Sequence, residues 1–187
     1  MPKFTTGFTL IETLVAIFIL AMSITSAMTV VSSSLQASFY ARDRIAAYFL
    51  AQEAIEMIKN KRDENGIKNY QANPSVHWLD DIADWATISG PCGDGSVTCG
   101  PDSYNDIIVN CSNFDNCLMY QDKNGIFLYL SGVIPGNFSE TKFTRIVNME
   151  KINEDEAKVT VKVSWPGRDF TVAEHILNWH PLSTLES

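Results

Sequence analysis

Polar and apolar positions divide the chain into three regimes. From Thr13 to Ala41 no charged residue occurs, and aliphatic, alanine and small hydroxyl side chains dominate. A run of that length spans a bilayer, whose hydrocarbon core takes ~20 mainly apolar residues. The pattern then turns amphipathic. Ala47, Leu50, Ala51, Ala54, Ile55 and Ile58 recur at i, i+3, i+4, i+7, i+8 and i+11, while Gln52, Glu53, Glu56, Lys59 and Asn60 face away. Neither glycine nor proline stands between Gly7 and Asn65, so one helix can run through both stretches. Asn65-Gly66 reads as its C-cap, preceded by Lys59, Lys61 and Arg62, cations that suit the negative helix end. A helix from Phe8 to Glu64 would measure about 85 Å at about 1.5 Å per residue.

The third regime is β. Residues 66–117 first form a connector rich in turn formers. In it, Pro74 to Trp85 reads as a short helix with Trp78, Leu79, Ile82 and Trp85 on one side, and Gly90 to Pro101 reads as a loop. Leu118–Gln121 and Ile126–Leu130 then flank Asp122-Lys123-Asn124-Gly125, a hairpin with Asn-Gly at its tip. Val159, Val161, Val163 and Trp165 alternate strictly with Thr160, Lys162 and Ser164, the clearest strand signal in the chain. With Phe143–Ile152 before it and Phe170–Trp179 after it, this predicts a three-stranded antiparallel meander. The fold class expected is α+β: a long N-terminal helix, membrane half plus amphipathic half, packed on an antiparallel sheet through the stripe from Ala47 to Ile58.

Charge and cysteine change this picture in two ways. The 187 residues hold 14 Lys+Arg against 22 Asp+Glu, a net −8. Lys3 and Glu12 cancel, so the part after Ala41 keeps the whole of that charge. Such a domain repels polyphosphate, which argues against a broad nucleic-acid footprint. Cys92, Cys99, Cys111 and Cys117 make an even count in one short window, which favours disulfides in an exported segment. Three connectivities are open. The two local pairs, Cys92 with Cys99 and Cys111 with Cys117, are favoured because each closes a turn without moving distant chain. Lys3 at the amino terminus places that end inside by the positive-inside rule, and the carboxy-terminal domain outside the cytoplasm.

Glu12 is the anomaly. It stands ahead of the most apolar block, and an ionisable group at membrane depth costs roughly 2.5–3.5 kcal/mol on insertion scales and marks a functional site by default. The stretch Gly7-Phe8-Thr9-Leu10-Ile11-Glu12-Thr13-Leu14-Val15-Ala16 resembles the processing site of type IV prepilins and pseudopilins. The resemblance covers only the first ~30 residues. It implies that a prepilin peptidase cuts between Gly7 and Phe8 and methylates the new Phe8 amine. It also implies that Glu12 pairs with the Phe8 amine of a neighbouring subunit. The order of helix, variable connector and antiparallel sheet is also the one it implies, and the ending Val161-Lys162-Val163-Ser164-Trp165 … Leu177-Asn178-Trp179 looks similar to minor-pilin-like members. Many members carry a proline partway along the first half of the helix. This chain has Ser23, Thr25, Ser26 and Thr29 there instead. An ordinary signal peptide, with Leu14–Met22 as its apolar core and Thr25-Ser26-Ala27 as cleavage site, or a plain signal anchor, would leave Glu12 unexplained. The mature amino terminus separates the three: Phe8, Met28 or Met1.

The expected organisation is therefore a leader, 1–7; a transmembrane and assembly half-helix, 8–31; an amphipathic half-helix, 32–65; the connector, 66–117; and the sheet domain, 118–187. Partners implied are other pilin subunits, the prepilin peptidase, inner-membrane assembly machinery, and lipid before assembly. The implied location is a single-pass inner-membrane protein that later enters a surface filament. No catalytic, cofactor or metal site is expected. His77, His175 and His180 lie far apart in sequence and in no nucleophile or metal motif, and the cysteines lack Cys-x-x-Cys spacing. Asp80, Asp81 and Asp84 read as a solvated acidic face rather than a calcium site, Asp122-Lys123-Asn124-Gly125 as a turn, and the four tryptophans as core aromatics. A tip-located adhesin, a DNA- or substrate-binding module and a membrane-anchored exported enzyme are the alternatives, without residues to support them.

Overall fold

The computed structural model describes residues 7, 9–71, 76–83, 91–93, 97–111, 117–129 and 136–179. Its first element is the helix α1, Leu10–Gln71. Among the described residues seven strands follow: β1 Thr98–Asp102, β2 Ile107–Asn110, β3 Leu118–Gln121, β4 Phe127–Tyr129, β5 Ser139–Asn153, β6 Glu156–Trp165 and β7 Arg168–Leu177. The chain divides after Arg44 into two units, each taken by itself below.

The unit from Ile45 onwards is a helix laid on an antiparallel sheet, the α+β layout expected. β5 organises the sheet. One edge pairs with β6 from Thr144 to Asn153. The other edge is shared, with β3 alongside Ser139–Thr144 and β1 alongside Val147–Asn148. β4 extends β3, β2 extends β1, and β7 extends β6. The strict alternation read in β6 is real: Ala157, Val159, Val161, Val163 and Trp165 are all buried. They meet Phe143, Val147 and Met149 of β5 on one side of the sheet, because alternate side chains share a face. Against them lie Ala47, Leu50, Ala51, Ala54, Ile55 and Ile58, the whole predicted helix stripe, each at most 3% exposed.

A buried charge joins these layers. Arg145 sits in the apolar row of β5 with 0% exposure. Its Nη1 donates to the Leu50 carbonyl at 3.0 Å and to Glu53 Oε2 at 3.1 Å, and its Nη2 donates to the Pro101 carbonyl at 2.8 Å. One guanidinium thus ties α1, β5 and β1 together, a use that suits its planar fork of donors. At the edge, Lys59 Nζ lies 2.6 Å from Glu174 of β7, and that hydrogen bond raises the lysine pKa. Trp179, read as a core aromatic, is instead 54% exposed, and its Nε1 donates to Asp63 Oδ1 at 2.8 Å.

Three further sequence expectations give way. Asn65-Gly66 is not the helix end, because α1 runs on to Gln71. Asn65 is 1% exposed, and its side-chain amide donates to the Asp80 and Trp78 carbonyls at 2.7 and 3.4 Å. A cap-type residue has been recruited by the returning chain, and tertiary bonding overrides its local preference. Next, residues 76–83 form successive turns rather than a helix, with Asp81 at φ 62°. Trp78, Leu79 and Ile82 are nevertheless buried as expected; Pro74, Ser75, Asp84 and Trp85 lie outside the described residues. Finally, the connector contains the β1–β2 hairpin. Its Gly100 and Pro101 disguise a strand, yet Pro101 lies past the two residues that pair with β5, where a missing N–H is tolerated. The hairpin read at Asn124-Gly125 and the meander are present, with Gly125 and Gly167 at φ 86° and 74°, which glycine adopts freely. Leu130 lies outside the described residues.

Candidate assembly site

The site starts where the helix starts. Thr9 precedes the first helical residue, and its carbonyl accepts from the backbone N–H groups of Glu12 at 3.1 Å and Thr13 at 3.3 Å. Thr13 Oγ1 donates to the Leu10 carbonyl at 2.8 Å. Glu12 therefore lies in the first turn, where the positive end of the helix dipole favours a carboxylate. The next charged residue is Arg42, about 45 Å along the helix at about 1.5 Å per residue. Between them an 18-residue window reaches a mean hydropathy of 2.4, with none of it buried. Leu14, Phe18, Ile24 and Met28 are all more than half exposed. Among the described residues α1 is the one helix long and apolar enough to cross a membrane.

The hydroxyls of Ser23, Thr25, Ser26 and Thr29 are accounted for within this half. Ser23 donates to the Ile19 carbonyl at 2.8 Å, Thr25 to Ala21 and Met22 at 3.0 Å each, Ser26 to Ser23 at 2.9 Å, and Thr29 to Ser26 at 2.7 Å. Polar groups satisfied inside their own helix are the kind that lipid tolerates. The helix is continuous here, with no melted segment. At 3.6 residues per turn, Glu12 shares its face with Ala16, Ile19, Ser23, Ser26, Val30 and Ser34, a mixture of small and aliphatic side chains. Gly7 is exposed; Phe8, the predicted partner residue, lies outside the described residues, as does Lys3.

The other candidate residues are occupied locally. The four cysteines stand as the two local pairs at disulfide distance, Cys92 with Cys99 (Cα separation 4.9 Å) and Cys111 with Cys117 (5.6 Å), all buried. His77 Nδ1 accepts from Leu79 N, Asp80 Oδ2 accepts from His77 N, and His175 Nδ1 lies 2.6 Å from Glu156 Oε1. His180 lies outside the described residues. Among the described residues no three His, Cys, Asp or Glu side chains converge as metal ligands. Asp122 is committed to its turn: Oδ1 accepts from Ile126 N and Asn124 N, and Oδ2 from Asn124 Nδ2. A shallow groove of about 460 Å³ separates this turn from α1, between Gly125, Ile126 and Phe127 on one side and Ala46, Phe49 and Leu50 on the other.

Residues 3–28 match the family model described as the prokaryotic N-terminal methylation motif. The chain carries the type IV prepilin-type signature. The match encloses Gly7 and Glu12 and the first half of the apolar run. No curated protein and no solved structure matches the chain. The signature supports a type IV pilin-like or pseudopilin-like subunit, a structural rather than catalytic class, and assembly with other pilin subunits. With the exposed apolar helix it also fits a membrane-anchored and later surface-exposed pilin.

Proposed function

We propose that the chain is a minor pilin or pseudopilin, a structural subunit of a type IV pilus-like or type II secretion-like filament. A prepilin peptidase cuts between Gly7 and Phe8, and the Phe8 amine is methylated. Until assembly the apolar half of α1 holds the subunit in the inner membrane, with the domain after Ile45 outside the cytoplasm. Assembly machinery then moves that half from lipid into a core of parallel helices. There Glu12 of one subunit meets the Phe8 amine of a neighbour, and the pairing sets axial register.

The observation that carries this reading is Glu12 itself: the one charge in the exposed apolar half of α1, in its first turn, with Ser23 and Ser26 on the same face. Small residues let helices approach closely where hydrophobicity gives no preference between lipid and protein. A buried charge whose partner is removed destabilises by about 3–5 kcal/mol. Glu12→Val should therefore insert, lose residues 1–7 and accumulate in the membrane, yet be missing from sheared filaments. Normal incorporation of Glu12→Val would sink the mechanism, and a mature amino terminus other than Phe8 would sink the processing step.

A further inference from the structure

The chain has two Asn-Gly dipeptides, Asn65-Gly66 and Asn124-Gly125, and the fold treats them oppositely. We propose that Asn124 is a site of spontaneous deamidation and that Asn65 is protected from the same reaction. The proposal goes beyond the assembly role and does not depend on it.

The chemistry needs only the peptide and water. The Gly125 backbone nitrogen attacks Asn124 Cγ, forming a C–N bond and giving up its proton to solvent. The side-chain nitrogen takes up a proton from solvent, its bond to Cγ breaks, and it leaves as ammonia, so that a succinimide ring results. Water then opens the ring at either carbonyl, giving aspartate or isoaspartate. Glycine in the following position matters because no Cβ crowds the attacking nitrogen.

Asn124 meets these demands. It is exposed at the tip of the β3–β4 hairpin. The hydrogen bond that holds the nucleophile, Gly125 N to the Asp122 carbonyl at 3.1 Å, belongs to a surface turn. Such turns open at small cost compared with the core. Asn65 fails each demand. Its amide is 1% exposed and donates to two carbonyls of the 76–83 segment, and Gly66 is buried within α1. Ring closure there would require local unfolding of the helix and of the turns packed on it.

The product matters at the tip. Asn124 Nδ2 now donates to Asp122 Oδ2 at 2.9 Å. After deamidation a carboxylate faces that carboxylate, beside the groove lined by Gly125 and Ile126. Asp122 stays ionised in the native turn, its pKa held low by the Ile126 N–H, so the new contact is repulsive.

The test is peptide mapping of the full chain in detergent, folded and denatured, after incubation at mildly alkaline pH. In the folded protein, aspartate and isoaspartate should accumulate at position 124 at least about tenfold faster than at position 65. In denaturant the two positions should react alike. Asn124→Gln should remove the signal at 124 and leave circular dichroism unchanged. Equal rates in the folded protein would overturn the proposal, and so would a difference that survives denaturation.

Discussion

Residues 10–31 and 45–71 belong to one helix and differ in almost everything that decides stability. The later stretch presents six small or aliphatic side chains to a sheet and buries them all. The earlier stretch is more apolar and buries none in the single subunit. Hydrophobicity alone therefore does not tell where a helix finds its partner; periodicity does. A stripe with a polar reverse side belongs to its own domain, whereas apolar residues all round belong to lipid or to other helices. The difference also separates two kinds of charge. Arg145 is buried and bonded to Leu50, Glu53 and Pro101 within the domain. Among the described residues, Glu12 has only the helix terminus beside it.

The sharpest way to break this comparison is to damage each half and ask whether the folded domain notices. Arg145→Ala should cost about 3–5 kcal/mol, since it strips donors from a buried network and leaves a cavity. Phe18→Ala, at a position 63% exposed, should change domain stability by less than about 0.5 kcal/mol. Thermal unfolding of the full chain in detergent, followed by tryptophan fluorescence, measures both. If Phe18→Ala lowered stability as far as Arg145→Ala, the two halves would not be energetically separate.

A second test asks how far the connector shares the domain's stability. Cys92→Ser with Cys99→Ser should cost about 2–3 kcal/mol, the chain-entropy value for a short loop. Cys92 N donates to the Ile82 carbonyl at 3.0 Å, so the pair anchors the turn segment 76–83 to β1. Protection of the Leu79 and Ile82 amides should fall first in hydrogen exchange. Protection unchanged in the double variant would show that burial alone holds this segment.

The legible parts of the chain share one property: short-range periodicity agrees with the long-range fold. The stripe from Ala47 to Ile58, the valine row of β6 and the Asn-Gly hairpin all read correctly because every local signal points to the final structure. Glu12 stands out in the sequence for the opposite reason, as a residue in conflict with its surroundings. The illegible parts are those where a contact between distant residues decides. Asn65 looks like a cap until the carbonyls of Trp78 and Asp80 arrive. Thr98–Asp102 looks like loop because Gly100 and Pro101 weaken a strand that β2 and β5 complete. Arg145 carries no sequence signal of burial, since its partners come from three separate elements.

A weaker effect is expected from acid. The Asp122 carboxyl is held below the ordinary carboxylate range, first by the Ile126 N–H and then by Asn124. A depressed folded-state pKa contributes stability that is fully present above the unfolded value of about 3.9 and is lost as pH falls through the folded one. The β3–β4 tip should therefore hold its turn at neutral pH and loosen only below about pH 4. Exchange of the Ile126 amide against pH reads this directly, and Asp122→Asn should flatten the profile. A profile that bends near pH 6 would point to a different group.

The smallest effect is predicted within the apolar half, and it bears on what that half is for. Ser23 and Ser26 donate to the carbonyls of Ile19 and Ser23, acceptors that the helix ladder already uses. Replacing both with alanine removes two donors without stranding an acceptor, and alanine is the better helix former. Helix content in detergent should stay level, within about 0.5 kcal/mol. Because alanine also adds no bulk beside Glu12, filament incorporation should persist. Ser23→Leu with Ser26→Leu should keep the helix as well, but would add bulk beside Glu12 and hinder close approach. If the alanine pair lost incorporation, the hydroxyls would be bonding between subunits rather than back to their own helix. If the leucine pair assembled normally, the Glu12 face would not be the one that packs.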